Sequence, residues 1–184
     1  MKIAANAKIS SFTPNETYLS VGLALSYWEH SEDIQMGLFN LLCVKEPVAR
    51  QAFLTAPRSI RVKMLREALE RYPEVLSSEE TIFVKDALRH LDKLASKRNQ
   101  IAHGYVQEIN SVVDDEVAAE GVFLMPALNE AGMPGLRDAR YFLTCTEIDA
   151  FRDEVREHRW VIHEVHMAAL MRNPSVFSKF PPSI

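Results

Sequence analysis

Hydrophobic residues recur at helical spacing near the start of the chain, between two positions that punctuate helices. Thr13 is an N-cap residue, Pro14 suits the first helical position, where its missing N–H costs nothing, and Glu16 is placed to complete a capping box. Glu46 precedes a proline, and such residues avoid helical dihedral angles. The pattern therefore predicts a helix over residues 14–44. Its apolar stripe consists of Val21, Leu25, Trp28, Glu32, Met36, Phe39 and Cys43.

Two shorter helical segments are predicted next. Residues 48–55 form a brief helical turn, and a longer helix opens at Pro57 and is closed by Pro73. The periodic positions of this longer helix place one set of side chains on a single face, as expected for a helix packed on a core. They are Ile60, Leu65, Ala68, Leu69 and Tyr72.

A third long helix is marked at both ends. Ser77 and Glu80 form a second capping box at its start. At its end, Gly104 is expected to stop the helix, because glycine readily adopts the left-handed conformation needed there. These signals predict a helix over residues 78–103, with Val84, Ala87, Leu88, Leu91, Ala95 and Ala102 on one face.

The pattern changes in residues 105–145, where β-branched residues and turn residues replace helical spacing. Tyr105–Val113 alternates, residues 114–115 suggest a turn, and residues 121–125 and 140–144 are short strand-like runs separated by Gly, Pro and Asn. We expect a small β-hairpin or meander here.

A final helix follows this β insertion. Residues 146–149 are predicted to cap it, and Pro174 to stop it. Residues 174–184 are expected to form a loose tail. The fold class is therefore all-α: an antiparallel bundle of four main helices, with a small β-hairpin insertion before the last helix and a core over residues 14–172.

Composition is that of an ordinary globular domain. The chain has 184 residues, of which 47% are hydrophobic and 25% charged, so a single domain over the whole chain is expected. No apolar stretch approaches the roughly 18 residues that span a bilayer, and residues 1–11 lack a hydrophobic signal region. We therefore expect a cytoplasmic protein without membrane contact. Cys43 and Cys145 are too few for a disulfide framework and are expected to be buried thiols.

One cluster of residues can carry chemistry, and it lies at the end of the third long helix. Residues four apart share a helix face, so Asn99 and His103 lie one above the other, with Arg98 beside them. Metal-independent RNA cleavage needs a base, an acid and a fixed positive charge near the phosphate. Histidine can exchange protons near neutral pH, and arginine pairs with two phosphate oxygens. Because each chain supplies one such histidine, a two-fold homodimer is the simplest complete site.

The alternative is a purely structural helix end. Lys97, Arg98 and His103 are cations in the last turns, where the helix dipole favours them. Capping leaves unexplained why Arg98 borders the apolar face and is followed at once by Asn99, a poor helix former. Both interpretations remain open.

The segment resembles the signature of the HEPN superfamily, in which an Arg, a polar residue and a His lie at the end of an inner helix of an α-bundle. The resemblance implies a homodimer and, in many members, an endoribonuclease that needs no cofactor and leaves a cyclic phosphate. Arg98 would stabilise the transition state, Asn99 would orient the site, and His103 would act as acid or base. Tyr105 extends the match to HEPN toxins paired with nucleotidyltransferase antitoxins, where the tyrosine is modified; alternatively its ring fills space beside Gly104. Many HEPN proteins are inactive binding modules, so such a module is the second possibility.

Other polar residues in the sequence could also form a site, and each has a structural explanation. Glu32 lies on the apolar stripe and needs a partner, either Arg98 or water. Histidines at 158, 163 and 166 lack added acidic or Cys ligands, so we expect no metal site. Motifs typical of zinc hydrolases, nucleotide-binding folds and serine hydrolases are not found. A row of basic residues is interleaved with acids and is read as a solvated helix surface. It comprises Arg58, Arg61, Lys63, Arg66 and Arg71.

Overall fold

The computed structural model describes residues 2–113, 116–126 and 142–173, and they are mostly helical. These residues contain five helices and three strands. The helices are α1 (Pro14–Leu42), α2 (Pro47–Thr55), α3 (Arg58–Arg71), α4 (Ser78–His103) and α5 (Cys145–Arg172). The strands are β1 (Lys2–Ser10), β2 (Tyr105–Val113) and β3 (Glu116–Met125). Among the same residues, no helix combines the length and the apolar character needed to cross a membrane.

Two differences from the predicted architecture stand out. The segment at residues 48–55 is a fifth helix of two and a half turns, and the predicted hairpin is part of a three-stranded mixed sheet. Of the predicted strand at residues 140–144, Leu143 makes an isolated bridge with Leu124. The start of that strand and the predicted tail at residues 174–184 lie outside the described residues.

Capping boxes begin two of the long helices as predicted. The Glu16 carboxylate accepts hydrogen bonds from the backbone N–H and the hydroxyl of Thr13, both at 2.7 Å. At the start of α4, the backbone N–H of Ser77 donates to Glu80 at 2.7 Å, and the backbone N–H of Glu80 donates to the Ser77 hydroxyl at 3.2 Å. These bonds satisfy helix N–H groups and neighbouring donors that would otherwise lack partners.

The cap of the last helix lies two residues before the predicted one. Thr144, and not Thr146, forms the box, because its backbone N–H donates to Glu147 at 2.8 Å and its hydroxyl accepts from the Glu147 N–H at 3.2 Å. Lys8 adds a contact from β1: its ammonium donates to Glu147 at 2.8 Å and to the carbonyl oxygen of Phe142 at 2.7 Å. Burial alone would raise the pKa of Glu147, but the bonds from Lys8 and Thr144 outweigh it and hold this pKa below its usual value.

The chain divides into two compact units, whose boundaries fall inside α1, α4 and α5. The first unit comprises Met1–Trp28 and Leu94–Glu154, and the second comprises Glu29–Lys93 and Val155–Ile184. In the first unit the strand order is β1-β3-β2, with β1 parallel and β2 antiparallel to β3. Trp28 stacks on Phe151 at a centroid distance of 6.0 Å. A second apolar cluster consists of Ala119, Phe123, Met125 and Phe142.

A glycine allows β1 to pair closely with β3. Gly121 lies opposite Ser10 and has φ = +114°, a conformation that side chains disfavour. A Cβ atom at this position would overlap the carbonyl oxygen of Ser10. No strand was predicted for residues 2–10, so the pairing of β1 with β3 is known only from the tertiary structure.

In the second unit, the arginines of α3 are paired with carboxylates of other helices. Arg61 contacts Glu32 of α1 at 2.6 Å, and Arg58 contacts the same carboxylate at 3.6 Å. Asp92 of α4 contacts Arg66 at 2.6 Å and Arg58 at 3.3 Å. The interpretation of this row as a solvated surface is therefore wrong for these three arginines, since they link three helices of the unit.

The buried face of α1 is rotated from the predicted stripe. Val21 and Leu25 are only half-buried, whereas polar Thr17 and Gln35 are buried. Their polar atoms bond to the helix itself: Thr17 donates to the carbonyl of Thr13 at 3.0 Å, and Gln35 to that of Ser31 at 3.0 Å. Burial is then tolerated, because the groups keep hydrogen-bond partners. Of the predicted stripe, Trp28, Phe39 and Cys43 are buried as expected. The buried positions of α1 are Thr17, Ser20, Ala24, Trp28, Ser31, Gln35, Leu38, Phe39, Leu41 and Leu42.

Candidate functional site

The candidate site lies at the C-terminal end of α4, in the first unit. The helix ends at His103, as predicted, but the reason given for Gly104 is wrong. Among the described glycines, the positive φ belongs to Gly121 and not to Gly104. A Cβ at position 104 would lie 2.7 Å from Cγ of Leu124 and 2.8 Å from the carbonyl oxygen of Met125. Glycine is required here because β3 packs directly against the end of the helix.

The three motif residues differ in exposure. Arg98 is half-buried, and its Nη1 donates a hydrogen bond to Oδ1 of Asn99 at 3.3 Å. Asn99 and His103 are exposed, and their four-residue spacing places them on one helix face. The structure therefore brings a guanidinium and an amide into contact and presents the imidazole to solvent one turn further on, where a large ligand can reach it.

The charges at this helix end are compatible both with binding of an anion and with a purely structural role. The last carbonyl groups of α4 carry partial negative charge, which favours the cationic side chains of Arg98 and half-buried Lys97. The same cations attract a phosphate group. The arrangement can thus bind an anion, and it can equally be a stabilised helix terminus.

Tyr105 begins β2 and packs on the apolar cluster of the first unit. Its backbone is paired with Met125, and its half-buried ring packs against a cluster that includes Phe123 and Phe142. This packing is what a space-filling role requires. Modification of the tyrosine stays a prediction.

Glu32 belongs to the second unit, where its side chain is 13% exposed and contacts Arg58 and Arg61 of α3. A carboxylate on an apolar stripe needs such partners, because burying an unpaired charge is costly. The sequence pointed to Arg98 or water as the partner and did not single out the α3 arginines. A role for Glu32 in orienting Arg98 stays a prediction.

The histidines of α5 make separate packing contacts. His158 stacks on His90 at a centroid distance of 4.5 Å, His163 contacts Trp160 at 5.4 Å, and His166 lies against Gly37. Burial lowers the pKa of His166, and the nearby His163 lowers it further. Within the described part of the chain, no group of three or more His, Cys, Asp or Glu side chains is placed to hold a metal ion.

No protein-family model, curated protein or solved structure matches this chain. The resemblance to the HEPN superfamily therefore rests on Arg98, Asn99, His103 and the helical pattern around them.

A second cluster of polar side chains was not predicted from the sequence. Glu46 and Tyr72 each precede a proline, so the chain leaves the helical path there and the two side chains meet. The Tyr72 hydroxyl donates a hydrogen bond to Glu46, and this bond raises the pKa of Tyr72. Both residues line hollows beside the buried Cys43. The prolines were the available signal, but they were read only as helix ends.

Proposed function

We propose that this protein is a HEPN-like, metal-independent endoribonuclease that acts as a homodimer in the cytoplasm, in a toxin–antitoxin or defence system. In this proposal the four long helices, α1, α3, α4 and α5, form an antiparallel bundle. The observation that carries it is the end of α4, where Asn99 and His103 are exposed on one face and Arg98 is held by Asn99.

The chemistry proposed is transfer of the RNA backbone to its own 2′-hydroxyl group. A base removes the 2′-OH proton, the 2′-oxygen attacks phosphorus, and the bond from phosphorus to the 5′-oxygen breaks as an acid protonates that oxygen. The products are a 2′,3′-cyclic phosphate and a 5′-hydroxyl. His103 of one copy acts as base and that of its partner as acid, and Arg98 stabilises the extra negative charge on the phosphorane.

A homodimer follows from the supply of acid–base groups at this helix end. The described end of α4 carries one imidazole, whereas the reaction needs one group that takes a proton and one that gives it. A two-fold axis near His103 supplies the second without another residue. The exposure of His103 is consistent with such a shared cleft, because a buried imidazole could meet neither a partner copy nor RNA.

The alternative is a HEPN-like binding module without activity. It is supported by the contact between Arg98 and Asn99, since cations and amides at a helix C-terminus need no substrate to explain them.

In a toxin pair, a nucleotidyltransferase-type antitoxin would add nucleotides to Tyr105. The half-buried packing of Tyr105 favours the space-filling role over this modification.

The deciding experiment measures cleavage of single-stranded RNA by purified protein in EDTA. We expect wild-type protein to cut and His103→Gln to lose at least about a hundredfold in rate, because glutamine cannot transfer protons. An exposed helix-end histidine contributes about 1 kcal/mol or less to stability, so the melting temperature should change little. His30→Ala, which removes an exposed histidine from α1, is the matched control and should cut normally.

Two results would contradict the proposal. Wild-type protein that is folded and dimeric yet leaves RNA intact supports the binding module. A His103→Gln variant that retains full activity excludes His103 as acid or base, whatever its effect on stability.

A further inference from the structure

Two adjoining hollows lie in the second unit, beside the ends of α1 and α3. One has a volume of about 160 Å³ and the other about 360 Å³, and both are lined by Cys43, Glu46 and Tyr72. The larger hollow by itself is large enough for a small organic molecule. Neither hollow involves Arg98, Asn99 or His103, so the site is separate from the proposed nuclease site.

Part of the wall of each hollow is apolar. Phe39 and Cys43 are 2% and 4% exposed, and Leu41 and Leu42 continue the surface in the larger hollow. Burial raises the pKa of the Cys43 thiol to about 11, so this wall carries no charge at neutral pH. The walls therefore favour a hydrocarbon group.

One half-buried carboxylate is shared by both hollows. Glu46 accepts a hydrogen bond from Tyr72, and its side chain is 36% exposed. Glu67 lines the smaller hollow and Glu74 the larger one, whereas the basic residues of the two linings are Arg71 and Lys45. Arg50 lies close enough to act on the Cys43 thiol, so the surrounding charges nearly balance, and it is the carboxylate shared by both hollows that favours a positively charged guest.

The contacts of Arg71 show which chemical group fits beside the Glu46 carboxylate and the Tyr72 ring. Its guanidinium carbon lies 5.7 Å from the centre of the Tyr72 ring, and its Nη2 lies 3.5 Å from the Glu46 carboxylate. Both contacts are typical of a cation held by an aromatic face and an anion. The ion pair is long and the Arg71 side chain is 71% exposed, so little energy opposes its displacement.

We propose that these hollows bind a small organic cation, an ammonium or guanidinium group with a short apolar tail, whose charged end contacts Glu46 and the Tyr72 ring. The tail lies against Leu41 and Leu42 in the larger hollow. Arg71 occupies the position of the charged group when the hollows are empty, and leaves it when the guest binds.

The test uses 2-phenylethylammonium as the probe and follows amide chemical shifts of the ¹⁵N-labelled full chain by NMR. We expect saturable shifts at residues 41–46 and 71–75. The neutral analogue 2-phenylethanol should bind at least about tenfold more weakly, because it lacks the charge that Glu46 recognises. The anionic analogue 3-phenylpropionate should not bind.

Three variants separate recognition by Glu46 from general effects of charge. Glu46→Gln, which can still accept the Tyr72 hydrogen bond, should weaken probe binding at least about tenfold. Glu74→Gln removes the same charge from a residue of the lining that we do not place on the cation, and should change binding less than about threefold. Arg71→Gln should tighten binding, because it removes the internal competitor.

Several outcomes would overturn the proposal. It fails if the probe gives no saturable shifts, if the alcohol binds as tightly as the ammonium, or if folded Glu46→Gln protein binds like wild type. Weaker binding by Arg71→Gln would also refute it, because Arg71 would then hold the guest and not compete with it.

Discussion

Replacing Gly121 by alanine should separate β1 from β3. The backbone at this position has φ = +114°, and holding a residue other than glycine in such a region costs about 1–3 kcal/mol. The new Cβ would also overlap the Ser10 carbonyl oxygen and lie 2.8 Å from its carbon, so β1 must move. Each ladder hydrogen bond between β1 and β3 that is lost when β1 moves adds about 1 kcal/mol. We therefore expect the free energy of unfolding to fall by about 3 kcal/mol or more, a large part of the stability of a typical domain.

Urea denaturation followed by circular dichroism measures this loss, and hydrogen exchange of the amides of β1 tests its location. Gly22→Ala is the matched control, because Gly22 lies in α1 with no atom within 4 Å of the added Cβ. This control should gain about 0.5–1 kcal/mol, the usual benefit of alanine over glycine in a helix. If Gly121→Ala unfolds at the wild-type urea concentration, or if exchange in β1 is unchanged, the described pairing of β1 with β3 is wrong.

Three further predictions concern other parts of the fold. Gly37→Ala places a Cβ 2.8 Å from Cε1 of His166, a clash of about 1–3 kcal/mol that opposes the helix benefit of about 0.5–1 kcal/mol, so urea denaturation should show a net loss of up to about 2 kcal/mol; stabilisation equal to that of Gly22→Ala would refute this packing. Bonds from Lys8 help hold the pKa of Glu147 below 4.5, so its stabilising effect is present above that pH and lost as pH falls through the lowered pKa. The stability difference between wild type and Glu147→Gln should accordingly shrink in acid, and a constant difference would contradict the shift. Because the pKa of Cys43 is raised to about 11, mass spectrometry after treatment with a thiol reagent at neutral pH should find its peptide unlabelled in folded protein, whereas rapid labelling would show an exposed thiolate.

Local signals in the sequence predicted the helices well. The capping boxes at Thr13 and Ser77 form as expected, and α4 spans the predicted residues. Such signals are reliable because they act within one turn: a side chain reaches an N–H group three residues away, and a proline excludes helical geometry from its own neighbour. The same local rules also placed Arg98, Asn99 and His103 at a helix end.

Contacts between distant segments could not be predicted in this way. Strand β1 is rich in Ala and Lys, which have little preference for strands, and it pairs with a strand more than a hundred residues away. The α3 arginines looked solvated because their partners, Glu32 and Asp92, lie on other helices. Pairing of Glu46 with Tyr72 likewise depends on how two helix ends meet.

Local sequence signals therefore specified the helices, the ends of α4 and the identity of the residues at its C-terminus, but not the start of α5. Only the tertiary structure decided that Gly104 is required for close packing against β3, that Tyr105 packs on an apolar cluster, and that polar Thr17 is buried. The physical reason is the separation along the chain of the residues that interact. Backbone hydrogen bonds and caps are formed between residues a few positions apart, whereas burial and charge pairing depend on which surfaces meet after the chain has folded.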